Sequence, residues 1–134
     1  MWLVTAEQMQ ALDRRTIQEA RIRGTTLMER AGDGVVTHLT ARYGSPKGQT
    51  ICIVCGKGNN GGDGLVVARL LQKMGATVHT VLFASPKDLS PDAQTMYRRL
   101  RRLTPCPKIH IQPPLEKLQR LLAEAQIIEI GRAS

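Results

Sequence analysis

Apolar residues recur along this chain at two spacings, three-to-four and continuous, and the change between them marks the predicted elements. Thr5-Ala6-Glu7-Gln8 has the form of a capping box, and Met9, Leu12, Thr16, Ile17 and Ala20 follow at helical spacing until Gly24. A second box, Thr26-Leu27-Met28-Glu29, predicts another helix with Leu27, Ala31, Val35 and Leu39 on its apolar face, fading at Tyr43-Gly44-Ser45-Pro46. Thr50-Ile51-Cys52-Ile53-Val54-Cys55 is a short unbroken apolar run rich in β-branched residues, the pattern of a strand buried on both faces. Leu65 to Met74 reads as a helix closed by Gly75, and Thr77 to Phe83 as a second strand. Strand, helix and strand in so short a span form one βαβ unit, which crosses over right-handed in a parallel sheet.

Ser90-Pro91-Asp92 supplies a cap, a first-turn proline and an acid at the positive end of the next helix, whose inward residues are Met96, Tyr97, Leu100 and Leu103. Ile109-His110-Ile111 predicts a short strand, Leu115 to Ala123 a helix, and Ala125 to Ile130 a further strand. The expected class is α/β with a mainly parallel sheet. Two helices (residues 5–43) precede the alternating part (residues 49–134) within one domain, residues 1–134. Because the last strand has no helix after it, the chain is expected to be the front portion of such a domain, with one sheet face thinly covered.

Composition narrows the classes. One hundred and thirty-four residues, 42% hydrophobic and 22% charged, suit one globular domain rather than a disordered chain. No apolar run approaches the roughly 20 residues of a membrane span, and Met1 to Glu7 has no secretory pattern. Three cysteines make no closed disulfide framework, so a reducing, cytoplasmic setting is expected. Nineteen basic against eleven acidic residues leave a charge of +8, which favours anions. Only Trp2, Tyr43, Phe83 and Tyr97 are aromatic, too scattered for a base-stacking surface. Arg98, Arg99, Arg101 and Arg102 are therefore read as a solvated helix face, and nucleic acid is not an expected partner.

The segment with chemistry is Gly56-Lys57-Gly58-Asn59-Asn60-Gly61-Gly62-Asp63-Gly64, between the first strand and the next helix. Five glycines in nine residues mark a backbone that turns tightly or meets a ligand at close range. The helix behind it offers unpaired N–H groups to an anion. Gly56, Gly58 and Gly61 satisfy a loose G-x-G-x-x-G, yet two features depart from an ordinary NAD site. No acid ends the second strand to hold a ribose, and Asp63 places a carboxylate in the loop itself. No Gly-Lys-Ser/Thr completes a Walker A loop. Asn59, Asn60 and Asp63 offer oxygens suited to a hard cation or to ligand hydroxyls and amides. The structural alternative is a plain strand-to-helix turn with Asp63 as the helix cap.

The run Gly56 to Arg69 resembles the signature of the YjeF N-terminal domain family, the NAD(P)H-hydrate epimerases. Thr5, Gln8-Met9, Leu12-Asp13, Leu27 to Gly32 and Ser90-Pro91-Asp92-Ala93 are similar to further parts of that domain. The resemblance implies a Rossmann-like three-layer sandwich, often dimeric. It also implies interconversion of the R and S epimers of hydrated NADH and NADPH (NADHX and NADPHX), with a partner dehydratase, sometimes fused, restoring the cofactor. It implies that Asn59, Asn60, Gly61, Gly62 and Asp63 contact the hydrated dinucleotide and that Asn60 also ligates a potassium ion. The family's catalytic aspartate follows the last strand in an Asp-Ala-x-x-Gly-x-Gly element. Here Ile128-Glu129-Ile130-Gly131-Arg132 occupies that place, so the catalytic residue is unassigned, with Glu129 the candidate substitute, and full activity is not expected of this chain. The second reading is a catalytically silent module that binds a nucleotide, a protein or RNA.

Smaller signals read as structure. Cys52 and Cys55 lie three apart on a strand, so they face opposite sides and serve as core; Cys106 sits in a proline-bounded loop. His38, His79 and His110 have no second ligand at metal spacing, Met9 and Met28 are packing residues, and Lys57 is a loop lysine within reach of a phosphate.

Overall fold

The computed structural model describes residues 24–56 and 59–130, and for Asn59, Asn60 and residues 126–130 the backbone alone. The predicted first helix (5–23), Lys57, Gly58 and residues 131–134 lie outside the described residues. The elements run α1 (Gly24–Tyr43), β1 (Thr50–Cys55), α2 (Asn59–Lys73), β2 (Thr77–Leu82), a 3-10 turn (Pro86–Asp88), α3 (Pro91–Arg101), β3 (Lys108–Ile111), α4 (Leu115–Glu124) and β4 (Gln126–Ile130).

The four strands form one parallel sheet in the order β3-β2-β1-β4. From β1 the chain steps outward through β2 to β3, then returns across the sheet to lay β4 on the other side of β1. Right-handed crossovers put α2 and α3 on one face and α4, which travels the opposite way, on the other. Along β1 the side chains alternate accordingly: Ile51, Ile53 and Cys55 join the main core with Val78 and Leu82 of β2, while Cys52 faces the second side. Leu65, Val66, Val67 and Ala68 of α2 are all fully buried, because the sheet lies beneath that helix and α1 and α3 pack against it. Burying each such leucine or valine is worth about 1.5–3 kcal/mol, so α2 is the energetic centre of this layer.

Element boundaries differ from the pattern-based expectation most at the starts of α1 and α2. The second predicted helix was to open at Thr26; α1 already includes Gly24 and Thr25. Its buried stripe is Met28, Ala31, Gly32, Val35, Val36 and Leu39, with Leu27 only half-buried. Gly24 is the first described residue of α1 and lies against α3, where a Cβ would meet the Asp92 carboxyl carbon at 2.8 Å. The helix expected from Leu65 begins at Asn59, since packing of Gly61 to Gly64 against the core outweighs their poor helix propensity. At α3 the expectation holds in detail: the Ser90 hydroxyl accepts the Ala93 N–H at 3.2 Å, and Met96 and Leu100 are buried. Leu103 falls beyond its last residue and is half-buried.

The second sheet face is more lightly covered. No residue of α4 is buried, and Leu115 at its start is 67% exposed.

Candidate functional site

In an open parallel sheet the carboxyl ends of the strands share one edge, and a crevice forms where the strand order reverses. Here that point lies between β1, which leads outward, and β4, to which the chain returns. Gly56 leaves β1 at this edge and α2 starts three residues later, so the amino end of a helix stands directly over the crevice. The first-turn N–H groups and the helix dipole make that position favourable for an anion.

Glycine is required at two of these positions by close approach. A Cβ at Gly61 would collide with the Gly56 carbonyl oxygen, its carbon lying only 2.8 Å away. A Cβ at Gly62 would meet the Met28 Sδ at 2.8 Å and Ala93 Cβ at 3.2 Å. Gly61 therefore lets the helix start fold back onto the end of β1, and Gly62 lets α1 and α3 close on it. This is a built turn.

The five residues expected to meet a ligand do not form an open loop. All five belong to α2: Asn59 and Asn60 are its first two residues, and Gly61, Gly62 and Asp63 are buried behind them. Asp63 is 1% exposed and lies inside the helix, so the helix-cap reading of this residue is overturned: the cap position precedes Asn59. Its carboxylate raises the Cys55 thiol further, although burial of that thiol is the larger cause and the neighbouring Cys52 also contributes. Glu129 belongs to β4, paired in register with Val54, and Ile130 is paired with Cys55. The register thus brings residue 129 to within one step of the strand end from which Gly56 departs.

Cys52 and Cys55 are buried free thiols on opposite faces, as the strand spacing implied, and burial pushes the Cys52 thiol up to about 11. Cys106 is exposed. Among the described residues no three His, Cys, Asp or Glu side chains gather as a metal site. No helix among them is long and apolar enough to cross a membrane.

Three arrangements escaped the sequence pattern. Glu29 of α1 pairs with Arg69 of α2 and, at 2.8 Å, with Arg99 of α3, tying three helices to one carboxylate. The acid at position 29 was legible only as part of a capping box. His79 Nδ1 and His110 Nε2 lie 3.2 Å apart across β2 and β3, a contact that needs the register to be known. Finally, the arginine run divides into Arg99, facing Glu29, and Arg98, Arg101 and Arg102, which line a hollow.

A parallel sheet with its switch point beside a glycine-built helix start defines a nucleotide-type α/β fold. Within that class, residues 24–128 match the family described as YjeF-related protein N-terminus, and the chain belongs to this family. It is 48% identical over 101 residues to the bifunctional NAD(P)H-hydrate repair enzyme Nnr of Salinibacter ruber, covering 75% of this chain and 19% of that protein. It is 39% identical over 106 residues to the NAD(P)H-hydrate epimerase of Rhodobacter capsulatus, covering 75% of this chain and 50% of the relative. The fold is also that of the crystal structure of yeast ynu0, YNL200c, with a TM-score of 0.65 at 23% identity, over 95% of this chain and 55% of that one. The chain thus spans half or less of the length of these two curated relatives.

Proposed function

We propose that this chain carries the nucleotide-recognising part of an NAD(P)H-hydrate epimerase, acting on the R and S epimers of hydrated NADH and NADPH. The observation that carries the reading is the Gly56–Gly61 closure, which sets a helix amino end over the β1–β4 crevice. The named activity of the Rhodobacter and Salinibacter relatives supports it. In this reading the main-chain N–H groups at the start of α2 receive the pyrophosphate, and Asn59 and Asn60 reach the ligand's polar edge. Gly61, Gly62 and Asp63 complete the contact in this reading, with the Asp63 carboxylate buried behind the helix start. Epimerisation at a carbon bearing a hydroxyl beside nitrogen needs an acid–base group at that carbon, and Glu129 at the neighbouring strand end is the candidate.

In this reading a potassium ion sits beside the turn, where the Asn60 side chain supplies a neutral amide oxygen suited to a monovalent cation. Asn60 would hold it, and the ion would offset negative charge on the bound dinucleotide. We assign the chain a cytoplasmic setting, a homodimeric state and a dehydratase as functional partner.

The test is to supply a single NADHX epimer to the whole chain and follow appearance of the other by chiral chromatography, in potassium and in sodium buffer. Interconversion that is lost in Glu129→Gln and reduced in Asn60→Ala is the expected result. Thermal stabilisation by NADHX without interconversion would instead establish the silent binding module, a reading that the place of Glu129 in register with Val54 keeps in view. Neither stabilisation nor interconversion would overturn both.

A further inference from the structure

A cluster of basic side chains lies at the end of α3 remote from the glycine turn. Helix α3 follows β2 and precedes β3, so it runs antiparallel to the strands. Its Ser90 end sits near the crevice, and its Arg101 end lies by the amino ends of the strands, about 16 Å away along an eleven-residue helix. There Arg98, Arg101 and Arg102, spaced three and four residues apart and so on one helix face, line a hollow of about 300 Å3.

The three guanidiniums differ from the chain's other paired arginines. Arg69 and Arg99 are held by Glu29, whereas no carboxylate lines the hollow and no salt bridge among the described residues involves Arg98, Arg101 or Arg102. Two of the three are oriented without being neutralised. Arg98 Nη2 donates to the Thr95 hydroxyl at 3.1 Å, and the Arg101 guanidinium lies over the Tyr97 ring, 5.8 Å from its centroid and so within the roughly 6 Å reach of a cation–π contact. The carboxyl end of a helix favours basic residues through its dipole, which accounts for positive charge in this turn. It does not account for three like charges sharing one concavity, since dispersed side chains satisfy the dipole equally and repel each other less.

We propose that this hollow binds a compact phosphate chain carrying at least two charged groups, such as pyrophosphate or a short inorganic polyphosphate. Its volume lies at the lower limit of small-molecule sites, roughly 300–1,000 Å3, and the described residues that line it are these three arginines. A phosphate chain matches the planar donor forks of several arginines, each able to hold two oxygens. This site is separate from the glycine turn, and the proposal does not depend on the epimerase reading.

The experiment is calorimetric titration of the whole chain with orthophosphate, pyrophosphate and tripolyphosphate at low and at physiological salt. The comparison variants are Arg98→Gln, Arg101→Gln, Arg102→Gln and, as a control on α4, Arg120→Gln; circular dichroism checks that each folds. The expected result is saturable binding of pyrophosphate and tripolyphosphate, tighter than orthophosphate. Each hollow variant should weaken it about tenfold while Arg120→Gln leaves it unchanged, as loss of one bidentate charge-assisted pair requires. Arg101→Lys should restore less than half of the lost affinity, because lysine keeps the charge without the fork. Binding that survives all three hollow variants would place the anion elsewhere and overturn the proposal. An equal loss in Arg120→Gln would reduce it to the general field of a basic protein. Saturable binding to duplex RNA with none to pyrophosphate would also overturn it, in favour of a nucleic-acid surface.

Discussion

A methyl group at position 61 would land on the Gly56 carbonyl, whose carbon lies 2.8 Å from where that atom would sit, and the obstacle is backbone that no rotamer change can move. Gly61→Ala is therefore expected to destabilise the chain by about 2 kcal/mol or more, as overpacking of a closed site does, despite alanine's better helix propensity. A thermal melt that rises or stays level would contradict this. At the thiols, the expectation follows burial. At pH 8 a disulfide-exchange reagent should modify Cys106 rapidly, and Cys52 and Cys55 only after denaturant is added, because thiolate formation is suppressed at both buried positions. The histidines give a pH signature. His79 is held below its ordinary value by burial and then by Lys108, with Glu124 opposing; His110 is lowered by burial, Lys117, His79 and Lys108. The unfolded chain then binds more protons than the folded one as pH falls through the ordinary histidine range, about 6.5. Stability is thus full above that range and declines below it. His79→Gln combined with His110→Gln should flatten the decline between pH 7 and 5 in denaturant titrations.

At the scale of elements, the packing of α1, α2 and α3 turns on Glu29, and the carboxylate is partly exposed, which limits its worth. Glu29→Gln leaves Arg69 and Arg99 facing no charge and should cost about 1 kcal/mol, read as a lowered midpoint in urea, with the effect shrinking in high salt. The element pattern was largely legible from sequence. Strands β1, β2 and β3, the Ser90 cap and the opposite faces of Cys52 and Cys55 all follow from local chemistry and from a period of two. What was not legible depends on partners distant in sequence. The start of α2 is not legible because Gly61 and Gly62 are helix-poor residues whose packing against Gly56, Met28 and Ala93 decides their conformation. The burial of Asp63 inside the helix, in place of the cap position, is not legible because local pattern gives no measure of burial. Met28 packs inward as its sequence position suggests, but Leu27 is only half-buried, since the contact surface of α1 is set by α2 and α3.

For the whole molecule, protection should be graded across the sheet. β1 and β2 are covered by α2 and carry fully buried residues, whereas β3 has exposed ends and α4 buries none of its side chains. Hydrogen exchange is expected to be slowest in β1, β2 and α2 and faster by several orders of magnitude in α4, and uniform protection would refute this gradient. The family's chain direction also sets where charge collects. Because α3 runs opposite to the strands, its arginines gather at the pole remote from the glycine turn. A polyanionic chromatography matrix such as heparin is therefore expected to engage that pole, and Arg98→Gln, Arg101→Gln and Arg102→Gln should each elute at lower salt than the unsubstituted protein.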